Sequence, residues 1–213
     1  MRTDDLVTML ATGAGAVQPN QAVHRYALAV GSGLVAAALL MAALIGTRPD
    51  LAAALLMPIF WVKVAFAGSL AAVNWLAVMR LSRPGAPLAG LAGALAAPVL
   101  AIWLLAAVAL ARAGAPQRAA MVFGDTWNSC PFLIALLSVP VFVAVVWAMK
   151  GLAPTRLRLA GASAGLLSGS IATLVYSLHC PESAAPFIAV WYLLGKLIPT
   201  AVGALLGPRL LRW

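Results

Sequence analysis

Two thiols offer the clearest chemistry in this 213-residue chain. Cys130 lies in Ser129-Cys130-Pro131 and Cys180 in Leu178-His179-Cys180-Pro181-Glu182, and the sequence holds no other cysteine. In an oxidising compartment such thiols pair, bind metal or react as thiolates. A disulfide needs Cα atoms roughly 4.4 to 6.8 Å apart, so pairing depends on the fold. His179 beside Cys180 adds a borderline ligand, and the set Cys130, Cys180 and His179 suits transient binding of a thiophilic ion such as copper, zinc or cadmium. No resident cofactor is expected. Each cysteine precedes a proline, as at the first turn of a helix, where the dipole favours a thiolate. Both sit at water-facing breaks next to apolar runs, which argues against small apolar filler. A structural disulfide and a reactive or metal-sensing pair stay open.

Other chemistry is sparse. His24 and His179 are expected at opposite ends of the molecule, and no CxxC, HExxH, phosphate-binding glycine loop or nucleophile elbow is present. No enzymatic turnover is expected. Two lysines interrupt apolar runs: Lys63 follows Pro58 closely and is expected to snorkel to the interface, whereas Lys196 follows Pro186 by ten residues and is expected about 15 Å deep. The apolar runs contain no acid. Glu182, Asp125 and Asp50, in connecting loops, are the only carboxylates near enough to serve as partners.

The elements that carry these residues are membrane spans. With 64% hydrophobic and 9% charged residues and a mean hydropathy of +1.02, the chain cannot cover itself with a polar surface. The net charge of +9 comes from cations scattered singly, so direct nucleic-acid binding is not expected. Six apolar runs, 26–45, 59–79, 88–110, 131–149, 157–178 and 186–206, are each long enough to cross about 30 Å of hydrocarbon. The fold class expected is an all-α integral membrane protein, a six-helix bundle of three hairpins in the lipid bilayer. Nine Lys and Arg fall in the two termini and the second and fourth connections, against three in the others. Both termini are therefore assigned to the cytoplasm, and Cys130 and Cys180 together to the outer face of an inner membrane.

The chain divides into three regions: a cytoplasmic segment 1–25, a transmembrane domain 26–206 and a cytoplasmic tail 207–213. In the first, Thr3 is a candidate cap, Asp4 and Asp5 favour the positive end of a short helix, and Leu6, Val7 and Leu10 share a face that Gly13 and Gly15 terminate. The acids disfavour an anionic lipid surface, so Asp4, Asp5, Leu6, Val7 and Leu10 are assigned to a protein groove, with a frayed tail as the alternative. Glycines four apart, at Gly161, Gly165 and Gly169 and at Gly203 and Gly207, predict close helix packing and are compatible with a homodimer.

The Thr3-Asp4-Asp5-Leu6 start, six spans, Ser129-Cys130-Pro131-Phe132 and the run from His179-Cys180-Pro181-Glu182 through Pro186-Phe187 to Trp191-Tyr192 resemble the NrsF family, negative regulators of sigma F. The resemblance implies an inner-membrane anti-sigma factor that holds an extracytoplasmic-function sigma factor inactive. It also implies that Cys130 and Cys180 sense metal or oxidative stress. Two other readings stay open: a small transporter or channel centred on Lys196, and a membrane thiol oxidoreductase.

Overall fold

The computed structural model describes residues 2–13, 20–83, 85–152 and 154–212. Among them the secondary structure is entirely helical. In chain order the elements are α1 Thr3–Gly13, α2 Gln21–Leu44, α3 Leu51–Leu55, α4 Pro58–Leu81, α5 Leu91–Arg112, α6 Ala115–Phe123, α7 Cys130–Lys150, α8 Leu157–Tyr176 and α9 Ala185–Leu210. Six of these, α2, α4, α5, α7, α8 and α9, are long and apolar enough to cross a membrane. Two connections carry short helices, the apolar α3 and the more polar α6.

The bundle is organised around α8. Its mean hydropathy of 1.4 is the lowest of the six spans, yet most of it is buried. The packed interior offers its hydroxyls no other partner, so they turn back on its own backbone: Ser168 donates to the Ala164 carbonyl and Thr173 to Gly169, each at 2.7 Å. Its glycines make the rest of the surface a groove. A side-chain carbon at Gly161 would collide with the Gly203 carbonyl and one at Gly165 with the Pro199 carbonyl, so α9 lies backbone to backbone on α8. The glycine spacing predicted this packing.

The neighbours of α8 revise the three-hairpin picture. α8 packs on α4, α7 and α9, while α2 lies mainly on α7 and α5 on α4 and the first turns of α9. Of the three sequential pairs, the third, α8 with α9, is the intimately packed one. Shape explains this: the small residues of α8 accept three close neighbours, and α2 instead approaches α7, where Gly33 meets Val141. Contact between α2 and α4 includes the hydroxyls of Tyr26 and Ser82, 2.6 Å apart, and the edge-on rings of Tyr26 and Trp75.

In α1, Thr3 is the first helical residue rather than the cap, and the Asp5 carboxylate accepts from the Arg2 N–H at 3.3 Å, closing the turn from the third position. The helix is described over Thr3–Gly13, and its apolar side chains are exposed, Val7 at 60% and Leu10 at 64%. Gly15 lies outside the described residues.

Candidate functional site

The segment Leu178 to Glu182 is stitched to three other parts of the chain. Arg48 donates its backbone N–H to the Leu178 carbonyl at 3.1 Å, and the Gly46 carbonyl lies 2.9 Å from Nδ1 of His179. The Glu182 carboxylate accepts the Asp125 N–H at 2.8 Å, joining this loop to the connection before α7. From α4, Lys63 Nζ donates to the Cys180 carbonyl at 3.2 Å, and Arg48 Nη1 reaches the same oxygen at 3.3 Å. Two cations thus converge on one backbone acceptor. Arg48 is further held by Asp50, whose carboxylate oxygens accept from Nε at 2.7 Å and from Nη2 at 2.6 Å. The bidentate guanidinium keeps the Asp50 carboxyl below its ordinary value and raises that of Arg48.

Beneath this lid lie both thiols, free and fully buried. Each neighbours the Tyr176 side chain, and Cys180 also neighbours Tyr192. The fold therefore brings Cys130, at the first turn of α7, and Cys180, in the loop before α9, into one cluster. Their burial corrects the expectation that they face water. Tyr176 and Tyr192 are each about 1% exposed or less, and together with the folded loop they seal the thiols off. A second correction concerns the proline that follows each cysteine. Cys130 does open α7 with Pro131 behind it, but Cys180 lies in an irregular loop and α9 begins only at Ala185. Only Cys130 has a helix N-terminus beside it.

The metal set is not assembled. Among the described residues no group of three or more His, Cys, Asp and Glu side chains is placed to hold an ion, so Cys130, Cys180 and His179 do not form a ligand cage. One reason is that the His179 ring already engages Gly46.

Lys63 is also placed differently from expectation. It is fully buried instead of snorkelling, because the Cys180 carbonyl gives its ammonium a partner inside the bundle and the Tyr192 ring lies 5.9 Å away. Lys196 is fully buried, but no carboxylate meets it. Its Nζ sits 3.8 Å from the centre of the Phe66 ring and has no hydrogen-bond partner.

Sequence reasoning did not single out Tyr176, Tyr192 or Arg48 for this cluster. The signal available for the tyrosines was a hydroxyl in an apolar span, which needs a partner when buried. Tyr192 also ends a π-helical turn, Ile188–Tyr192, that interrupts α9. Such turns insert a residue and rotate the remainder of the helix, and they concentrate at functional sites. On the outer side of this turn the Trp191 ring nitrogen donates to the Val122 carbonyl at 2.8 Å, next to the rings of Phe123 and Trp127.

Comparison with known proteins places the chain in a family. No solved structure matches the chain. A protein of Caulobacter vibrioides named "Anti-sigma-F factor NrsF" is 42% identical over 216 residues, covering 100% of both chains. One of Azospira oryzae named "Probable anti-sigma-F factor NrsF" is 60% identical over 213 residues, again with 100% of both chains covered. The family described as "NrsF: Negative regulator of sigma F" matches residues 10–213, and the chain, with its buried thiol pair and α8-centred bundle, belongs to that family.

Proposed function

We propose that this chain is an anti-sigma factor of the bacterial inner membrane. It holds an extracytoplasmic-function sigma factor inactive on the cytoplasmic side and releases it when Cys130 and Cys180 receive a metal or oxidative signal from the periplasm. The observation that carries the anti-sigma reading is full-length similarity, at 60% and 42% identity, to two proteins named as anti-sigma-F factors. The cation distribution, nine against three, supports cytoplasmic termini. The exposed apolar face of α1 supports a docking role for Asp4, Asp5, Leu6, Val7 and Leu10 in a groove of the sigma factor.

The geometry supports a route for the signal. Oxidation or metal capture at two sealed thiols requires the loop over them to open, and opening pulls the Cys180 carbonyl away from Lys63 and Arg48. Residues Tyr192 and Lys196 of α9 lie against the same cluster, and α9 runs from it along the glycine groove of α8 to the opposite end. The two bundle arrangements need differ in sigma affinity by only about 1 to 3 kcal/mol for a 5- to 150-fold effect. A cage formed in advance plays no part in this scheme, so any metal acts by recruiting thiols that are otherwise shut away.

A Cys130→Ser/Cys180→Ser variant, followed with a sigma-dependent reporter under metal and oxidant stress, tests the sensor. Loss of induction is expected, and an unchanged response removes the sensor role. Deletion of residues 3–10 tests the docking role, where undiminished sigma capture would move the interface to the basic loops. The unpaired ammonium of Lys196 favours a second reading, a small transporter, for which ion flux in proteoliposomes would have to vanish in Lys196→Ala.

A further inference from the structure

At the end of the bundle away from the thiols, the connection from α4 to α5 and the one from α7 to α8 close around a cavity of about 170 Å³. Arg80, Arg83 and Arg156 line it together with Thr155, Gly85 and Leu88. The first connection is held in shape by two turns: Arg83 N–H donates to the Arg80 carbonyl at 3.1 Å and Ala86 N–H to the Arg83 carbonyl at 3.4 Å, with Gly85 supplying a positive φ of 74° in the second. Arg80 spends one nitrogen, Nη1, on the carbonyls of Pro87 at 3.4 Å and Ala89 at 3.3 Å, which aims the guanidinium without neutralising it. None of the five acids of the chain lines the cavity, and among the described residues the one ion pair is Arg48–Asp50 at the other end. Three guanidinium groups face one small polar space with no counter-charge.

We propose that this cavity binds a phosphate group, presented by the headgroup of an anionic phospholipid. Guanidinium forks match phosphate oxygens in pairs, and the three here come from two different connections, so a bound phosphate ties the α4–α5 and α7–α8 loops together. The cavity lies just past the ends of α4 and α7 and the start of α8, at headgroup depth if these helices cross a bilayer; the inference rests on that reading. Leu81 and Leu88 also line the cavity, but its exposed surface is mostly polar, as a headgroup site requires. A carboxylate surface of a protein partner fits less well, because the cavity admits a small group and not a broad face.

Full-length protein in phosphatidylcholine nanodiscs or detergent is titrated with short-chain phosphatidylglycerol, with short-chain phosphatidylcholine, and with inorganic phosphate, reading binding and the shift in melting temperature. Phosphatidylglycerol is expected to bind at least tenfold more tightly than phosphatidylcholine. The double variant Arg83→Gln/Arg156→Gln is expected to abolish that preference, while Arg112→Gln, on another connection, keeps it. Arg83 and Arg156 are exposed, so their replacement leaves the packed core alone. If inorganic phosphate binds as tightly as phosphatidylglycerol and displaces it, the phosphate site stands and its source is free phosphate. Equal binding of the two lipids without phosphate binding, or a double variant that binds like the parent, overturns the site. So does a double variant with unchanged lipid binding and lost sigma capture, which hands the cavity to a protein partner. These binding readouts need no sigma factor, so their failure leaves the anti-sigma reading untouched.

Discussion

Lys63 of α4 donates its ammonium to the backbone carbonyl of Cys180, 117 residues further along the chain, at 3.2 Å and wholly out of solvent. A side chain within a span thereby holds the loop that closes over the thiols. Hydrogen bonds from charged groups contribute about 1.5 to 3 kcal/mol, but a buried charge replaced by an apolar group of similar volume also sheds its desolvation cost. Lys63→Met is therefore expected to change global stability by less than about 1 kcal/mol. It should nonetheless speed alkylation of Cys180 by about tenfold or more, because the loop opens more often once a tether worth about 1.4 kcal/mol is lost. Equal alkylation rates in parent and variant would show that Lys63 does not restrain the loop.

The thiols themselves are expected to resist reagents. With both fully buried, an impermeant maleimide added to intact cells should label neither at an appreciable rate until the loop is opened by denaturant or by the inducing signal. Quantitative mass spectrometry of the two peptides reads this directly. Rapid labelling of one thiol with the other protected would separate them and break the paired receiver.

The groove of α8 makes a sharp packing prediction. Gly165→Leu places a side chain where the Pro199 carbonyl and Thr200 now lie, and should cost several kcal/mol or prevent assembly altogether. Gly93→Leu, in a position with nothing within 4 Å, should be tolerated. Melting of the two variants in detergent checks the contrast, which vanishes if α9 does not lie on α8 in this way.

The exposed face of α1 predicts a defect in capture without a defect in folding. Leu6→Asp/Leu10→Asp is expected to weaken sigma binding by about 30-fold or more, as loss of an apolar anchor worth about 2 kcal/mol would, while the melting temperature stays put. A pull-down paired with a melting curve distinguishes this from a frayed tail, which would lose nothing.

Asp50 predicts a pH dependence. Its carboxyl is held below the ordinary value of 3.8 by Arg48, so whatever stability the pair adds is fully present above that value and is lost as pH falls through the lowered one. The parent and Asp50→Asn should then differ by a constant amount from pH 8 to pH 5 and converge only in strong acid. Convergence already near pH 6 would mean that another group controls the loop.

Hydropathy was enough to locate six helices long and apolar enough to cross a membrane, because burying polar backbone in hydrocarbon is so costly that crossing segments must be helical and uniformly apolar. The glycine spacing of α8 was legible for a similar reason, since small residues four apart on one face have few uses other than close approach. The placement of Lys63 was not legible. Its distance from Pro58 says how deep it lies, whereas its burial depends on a carbonyl that a remote loop delivers. The water-facing reading of the cysteines failed on the same ground, since polar neighbours such as His179 and Glu182 mark a loop but do not say whether that loop folds back over its own thiols.

By itself, then, the sequence determined the helical class, the number and approximate limits of the apolar segments, and the presence of two thiols beside breaks between them, all of which arise from local composition and period. Tertiary structure alone decided that α8 is the centre and that α2 leans on α7. It also decided that Arg48, Lys63, Tyr176 and Tyr192 enclose Cys130 and Cys180, and that three arginines from two connections share one cavity. Those relationships join residues far apart along the chain, and a carbonyl or a ring becomes a partner for a buried cation only once packing brings the two within contact distance.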